Sequence, residues 1–215
     1  MDQQLLLLIN QTWTAQWLDR VMAAASSWDL WWPVILLATI AIVIWGGFLG
    51  RAFLLTAGLT IGLVDALIVD TIKDLTGRPR PHETIPGVRT LDLAKTRPRL
   101  LALALPLKEK FSVASKNPPR GNSFPSGHAA NNFAIAAVAW AIFPKFGWLA
   151  FLPAGLVSYS RIYVGSHWPS DILASAILGI SLGLLACWLV DKIWQRAGPK
   201  WMPRTFAQNP KISHW

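Results

Sequence analysis

The sequence has one cysteine, few acids and little charge of any kind. A single thiol, Cys187, excludes an intramolecular disulfide, and its place inside an apolar run makes it inert packing. With only 14% charged and 53% hydrophobic residues, and a mean hydropathy of +0.38, the chain is too apolar for an ordinary soluble domain. Clustered carboxylates and histidines of the kind that hold a catalytic metal are missing. So are an internal repeat and the basic n-region with a continuous apolar core that marks a signal peptide. Eleven acids stand against 20 Lys and Arg, a formal net charge of +9. The cations are not interleaved with stacking aromatics, which argues against nucleic acid and for anionic lipid as partner.

What is abundant is tryptophan, 13 residues in a chain of 215. Trp28, Trp31, Trp32, Trp148, Trp168 and Trp194 lie at the edges of apolar runs, as indole at the headgroup level of a bilayer does. Trp45, Trp140 and Trp188 read as filler. The runs themselves predict a polytopic all-α membrane bundle, one domain over 1–215, with five spans at Trp31–Leu49, Ala52–Ile72, Ala129–Phe143, Phe146–Tyr163 and Asp171–Trp194. The third is short. Leu5–Ala25 is apolar at helical spacing but interrupted by Asn10, Gln11, Gln16, Asp19 and Arg20, so residues 1–27 predict an amphipathic helix in the interface, with a sixth core helix as the alternative. Two very short links, "GGFLGR" and "PKFG", make the helices they join antiparallel neighbours. The polar segment Asp74–Phe124 carries ten Lys or Arg against four acids, with a short apolar patch, "LLALALPL", that dips into the interface or packs on the bundle mouth. Residues 195–215 form a basic tail.

Chemistry gathers at three span ends. The second span runs into "KDLTGRPRP", with Lys73 and, after six residues, Arg80. The third opens with "PSGH", Pro125 to His128; the fourth ends in "SRIYVGSHWPSD", which holds Ser160, Arg161, His167 and Asp171. If spans two to four alternate in direction, all three stretches meet on one membrane face. Pro169 suits the first turn of the fifth span. Asp171, four residues after His167, is spaced to fix one imidazole nitrogen and leave the other as a nucleophile. Arg161, Lys73 and Arg80 supply charge and a planar fork for phosphate oxygens. Ser126 and the Gly127 N–H add donors, with Gly127 permitting close approach, and His128 is placed to protonate a leaving oxygen.

These three stretches resemble the signature of the type 2 phosphatidic acid phosphatase family, integral-membrane relatives of acid phosphatases and vanadium haloperoxidases. "KDLTGRPRP", "PSGH" and "SRIYVGSHWPSD" fit it without gap or substitution, over roughly Ala52–Trp194. Arg78 is also on offer in "RPRP", but the six-residue spacing selects Arg80. The resemblance implies a lipid phosphatase with no cofactor, working through a phosphohistidine at His167, with Asp171 as orienter and His128 as acid. Phosphatidate, phosphatidylglycerol phosphate, undecaprenyl diphosphate and lipid A are the candidate substrates. A phosphotransferase with the same intermediate is the sibling reading. A haloperoxidase, whose relatives are soluble, and a non-catalytic lipid-binding protein fit less well.

Other polar residues have plainer readings. His82 and His214 read as anchors or satisfied polar groups, and Arg51, Lys145 and Lys192 as snorkelling anchors. Asp70, three residues before Lys73, is spaced to hold it, and Asp65 to bond Asn131 or Asn132. The basic tail and the short links put that side in the cytoplasm of a bacterial inner membrane and the site on the periplasmic or outer face.

Overall fold

Helices form at each of the five apolar runs, and small residues set where each turns. The computed structural model describes residues 1–113 and 120–214, side chains at 66–68 excepted; Lys116, one of the ten cations of the polar segment, lies outside the described residues. Helix α3 (Trp28–Trp45) passes into α4 (Gly47–Leu63) through Gly46 and Gly47, and the left-handed φ of Gly47 (61°) reverses the chain in two residues. The link is therefore tighter than the six residues "GGFLGR", the rest of which is already helical. Arg51 Nε crosses it to Val43 O, 3.0 Å away.

Helix α4 continues through a π-helical turn (Val64–Val69) into α5 (Asp70–Thr76), which Gly77 stops. Thr56 and Thr60 donate to carbonyls four residues back, at 2.8 and 2.7 Å, so their hydroxyls are satisfied inside an apolar rod. Helix α7 (Gly127–Ile142) is the central element, with one alanine-rich side entirely buried. A 3-10 turn (Gly147–Ala150) leads into α8 (Phe151–Tyr163), and α9 (Pro169–Trp201) lies along α7. A Cβ on Gly179 would stand 2.2 Å from Ala130 O, and one on Gly183 2.6 Å from Ala134 O. Glycine at these two positions is what lets α9 touch the α7 backbone.

The fold is mostly helical, and apolar side chains face outward: Leu37, Leu55 and Ile177 are each 60% or more exposed. Among the described residues, α3 and α9 are long and apolar enough to cross a membrane, and α4 is apolar but shorter. These helices fit a membrane protein.

Two features depart from the sequence expectation. The N-terminal segment is not one helix but two, α1 (Asp2–Leu7), which runs into a π turn (Leu8–Thr12), and α2 (Gln16–Ala25). Leu6, Ile9 and Met22 enter a core with Val88, Ile162, Tyr163 and Ile172. Asn10, an interruption in the apolar pattern, is fully buried there and donates to Arg89 O and Tyr163 O, both at 2.7 Å, while accepting from Arg89 N. The segment covers the end of the bundle, and its polar groups find partners there: Gln11 and Arg20 donate to the carbonyls of Gly87 and Leu103, and Asp19 accepts from Arg89 and the Tyr163 hydroxyl.

The second departure from an all-α chain is an antiparallel hairpin in the polar segment, β1 (Arg89–Asp92) with β2 (Lys108–Phe111). Between its strands the apolar patch begins in a 3-10 turn (Arg99–Leu103), which buries Ala102 beside Ala23, Leu30 and Leu93 but leaves Leu100 and Leu101 exposed. A short helix α6 (Pro81–Thr84) precedes the hairpin. Beyond α9, α10 (Pro203–Gln208) and the tail fold back on the bundle: Ile212 N donates to Asp191 Oδ1 at 2.6 Å and His214 N to Ala141 O.

Candidate active site

The three motif stretches meet at one end of the bundle: the end of α5, the start of α7, and the turn from α8 to α9. Gly165, with a φ of 69°, bends the α8–α9 turn so that His167 comes back under the loop before α7. There the ring is 4% exposed and its Nδ1 lies 2.7 Å from Ser123 O. A carbonyl only accepts, so Nδ1 carries the proton and Nε2 keeps a lone pair.

Asp171, spaced in sequence to hold this imidazole, does so at one remove. Its Oδ2 is 3.9 Å from His167 Nδ1. The carboxylate, fully buried, instead accepts from Ser123 Oγ (2.5 Å), Trp168 N (3.1 Å) and Arg78 Nη1 (2.5 Å). Asp171 thus fixes the loop whose carbonyl fixes the ring. The reason is local: Asp171 sits in the first turn of α9, where its carboxylate caps the free N–H of Trp168.

Ser126 is the N-cap of α7 and fully buried, its Oγ accepting from Ala129 N at 3.5 Å and its N–H donating to Ser175 Oγ at 2.8 Å. Its main polar groups serve the helix start. The space a Cβ on Gly127 would fill faces Asp65 and Val69 at ordinary contact distance, 3.6 and 3.7 Å. Asp65 in turn accepts two bonds from Asn131 Nδ2, each 2.9 Å. Lys73 stands 4.0 Å from Asp70, the spaced pair.

His128, just before the predicted third span, is half-buried. Burial pushes its pKa down to about 4, with the charges of Arg161, His167, Lys73 and Arg80 adding to the effect. Burial likewise lowers the pKa of His167; Asp171 pulls it up, Arg161 and Arg80 push it further down, and Ser123 raises it. Both rings rest neutral at pH 7.

Arg161 Nη1 donates to Ser26 Oγ, while its buried Nε has no acceptor among the described residues. With Arg80 it lines a cleft of about 1490 Å³ that neither His128 nor His167 lines. Among the described residues no three His, Cys, Asp or Glu side chains converge as metal ligands would.

Sequence reasoning passed over Arg78, Ser123 and Asp2. Motif spacing selects Arg80, whereas the structure gives Arg78 the bond to Asp171 and, through Nη2, one to Asp2 Oδ2 at 2.7 Å. Asp2 also accepts from Ser170 N and Ser170 Oγ. Its carboxyl, which burial alone would raise, is lowered on balance by Ser170 and Arg78. No local signal marks Asp2, since its partners are 76 and 168 residues away.

A family model described as the PAP2 superfamily matches residues 51–195. A lipid A 4'-phosphatase of Bacteroides thetaiotaomicron is 29% identical over 91% of this chain and 79% of its own length. An undecaprenyl-diphosphatase of Sulfolobus acidocaldarius is 44% identical, but over 32% of this chain and 34% of its own length. Among solved structures, a crystal structure of LpxE from Aquifex aeolicus superposes with a TM-score of 0.59 at 24% identity, covering 86% of this chain and 93% of that one, which bears on the fold.

Proposed function

The chain belongs to the PAP2 superfamily, and from that premise we propose that it hydrolyses a lipid phosphate or diphosphate, without a metal, through a phosphohistidine on His167. The observation that carries the reading is the buried His167, with Nδ1 committed to Ser123 O and Nε2 left with a lone pair, beside Arg161 and Arg80. A neutral, oriented imidazole next to cations is equipped to attack an anionic phosphorus centre.

In this mechanism Nε2 bonds to phosphorus, the bond from phosphorus to the lipid oxygen breaks, and His128 gives its proton to that oxygen. Water then attacks the phosphohistidine, His128 takes a proton from it, and free phosphate leaves. Burial, with the surrounding cations adding to it, keeps His128 neutral; a phosphate dianion offsets the cations, so substrate binding raises its proton affinity and prepares it as an acid. The orphaned Nε–H of Arg161 gains an acceptor in the same step.

The five apolar helices cross the membrane in this reading. The third span, Ala129–Phe143, is short against about 20 residues, and its buried alanine face is shielded from lipid by α8, α9 and α4. The basic tail, at the far end of α7 from His128, marks the cytoplasmic side and leaves the site on the outer face. The lipid A and undecaprenyl diphosphate substrates of the relatives head the list for this chain.

The test is phosphate release from a panel of phospholipid, polyprenyl and glycolipid phosphates in detergent. Activity that survives EDTA, is inhibited by vanadate and disappears in His167→Ala is the expected result. Restoration of a chelated enzyme by magnesium or zinc would count against the mechanism. Transfer to a second lipid without free orthophosphate would make the enzyme a phosphotransferase.

A further inference from the structure

The walls of the large cleft carry seven Lys or Arg and two acids, Asp29 and Asp92. Arg80 and Arg161 belong to the reacting site, and Arg99 is within 4.0 Å of Asp29. That leaves Lys95, Arg97, Lys108 and Lys110, none of which forms a salt bridge among the described residues. The hairpin places two of them deliberately. Side chains alternate along β2, so Lys108 and Lys110 share the cleft face, while Glu109 turns the other way to Arg89 Nε at 3.4 Å. The cleft face of β1 opposes them with Thr90 and Asp92, one acid for two lysines. Solvated surface lysines need no concave wall, whereas these four cations converge on a space that Arg80 and Arg161 also line. The same cleft is lined by Trp28 and Trp32, 63% and 50% exposed, at the head of α3.

We propose that this cleft is a second anion subsite, which takes a second phosphate-like group on the same lipid while Arg80 and Arg161 hold the group that reacts. The proposal rests on the phosphatase reading and names its substrate class, an amphiphile with two separated anionic groups. The lipid's apolar part lies along Trp28, Trp32 and α3. The subsite acts on binding: the second group is held equally before and in the transition state, so it lowers KM and leaves kcat unchanged.

The experiment uses two synthetic glycolipids with identical acyl chains, one carrying a single phosphomonoester and the other two, on the full chain in neutral detergent. The wild type should show a KM for the two-phosphate lipid lower by about tenfold or more, the scale of a charge-assisted hydrogen bond or two. Lys108→Gln/Lys110→Gln and Lys95→Gln/Arg97→Gln should each remove most of that preference while leaving kcat and the one-phosphate KM unchanged. Inhibition by inorganic phosphate, which needs only the inner site, should also be unchanged. Equal losses on both lipids, or no wild-type preference, overturns the proposal. A defect that appears only in vesicles containing phosphatidylglycerol overturns it too, and assigns the cations to the bilayer surface. If the wild type releases phosphate from neither lipid, the phosphatase reading fails. Binding of a non-hydrolysable two-phosphonate analogue then still decides the subsite: a Kd weakened about tenfold in the lysine variants supports it, and an unchanged Kd sinks it.

Discussion

Arg78 Nη1 lies 2.5 Å from Asp171 Oδ1, so the buried carboxylate of the third motif is neutralised by the arginine two residues before the one that the motif spacing selects. The guanidinium also stacks over Trp168, 5.3 Å from the ring centroid, and reaches Asp2 through Nη2. One line of contacts thus runs from Asp2 through Arg78, Asp171 and Ser123 to His167.

The two arginines of "RPRP" should therefore fail differently. Arg78→Ala leaves a fully buried carboxylate without its cation, and because Arg78 is itself 35% exposed, water recovers part of the loss. A destabilisation of roughly 1–3 kcal/mol is expected, the range for a buried group left short of a partner. Arg80→Ala, which removes a side chain from the cleft wall, should leave the melting temperature nearly unchanged and abolish most turnover. Melting curves and phosphate release, measured on both variants, check this; matched loss of stability in the two would remove the division of labour.

A second consequence follows from the 3.9 Å between Asp171 Oδ2 and His167 Nδ1. A carboxylate bonded directly to a catalytic imidazole is worth about 10⁴ in rate when changed to the amide. One that acts through a carbonyl resembles an outer partner of an oriented histidine, where losses are about 10- to 100-fold. Asp171→Asn is expected in the smaller range, with His167→Ala far below it. A loss of about 10⁴ for Asp171→Asn would show that the two groups close to a direct bond in the working enzyme.

The motif residues were legible because their spacing is local and each stands at a helix end that hydropathy marks. Asp65 with Asn131 and Asp70 with Lys73 could be paired in the same way, one across two predicted spans and one along a helix face. What escaped was long-range. Asn10 looked like a flaw in an amphipathic pattern because its partners, Arg89 and Tyr163, come from two other elements. The hairpin escaped because four-residue strands of alternating charge, "RTLD" and "KEKF", carry no apolar stripe to announce them. Ser123 holds His167 through its backbone carbonyl and Asp171 through its hydroxyl, partners 44 and 48 residues away, and motif spacing carries no information about either.

Stability should fall as the solution is acidified. Both histidines are buried toward the neutral form, with His128 lowered to about 4 against about 6.5 for an exposed ring. Between those values the unfolded chain binds protons that the folded chain refuses, so stability rises with pH across the window, is complete above about 6.5 and is lost as pH falls toward 4. Each ring contributes at most about 1.4 kcal/mol per pH unit. Thermal melts in detergent from pH 7 to pH 4 should show a decline that is shallower in His128→Ala and reduced by saturating vanadate, whose negative charge favours the protonated rings. A wild-type curve that stays flat to pH 5 would mean that the rings are not held neutral.

The two histidines should also separate by leaving group. His167 makes the bond to phosphorus in the proposed mechanism, so His167→Ala should lose activity on every substrate. His128 only delivers a proton to the departing oxygen, which matters most for a poorly acidic alcohol and least for an acidic one. An alkyl phosphomonoester expels the first kind of group. A nitroaryl phosphate or a lipid diphosphate expels the second, and that oxygen can leave with little protonation. His128→Ala should thus lose about 10²–10⁴-fold in kcat/KM on the alkyl monoester, the range for a general acid, and much less on the nitroaryl ester. Equal losses on both would mean that His128 binds phosphate rather than protonating the leaving group. A leaving-group-dependent loss in His167→Ala, with a uniform one in His128→Ala, would mean that their roles are exchanged; Ser123 O, which fixes the His167 tautomer from 2.7 Å, favours His167 as the nucleophile.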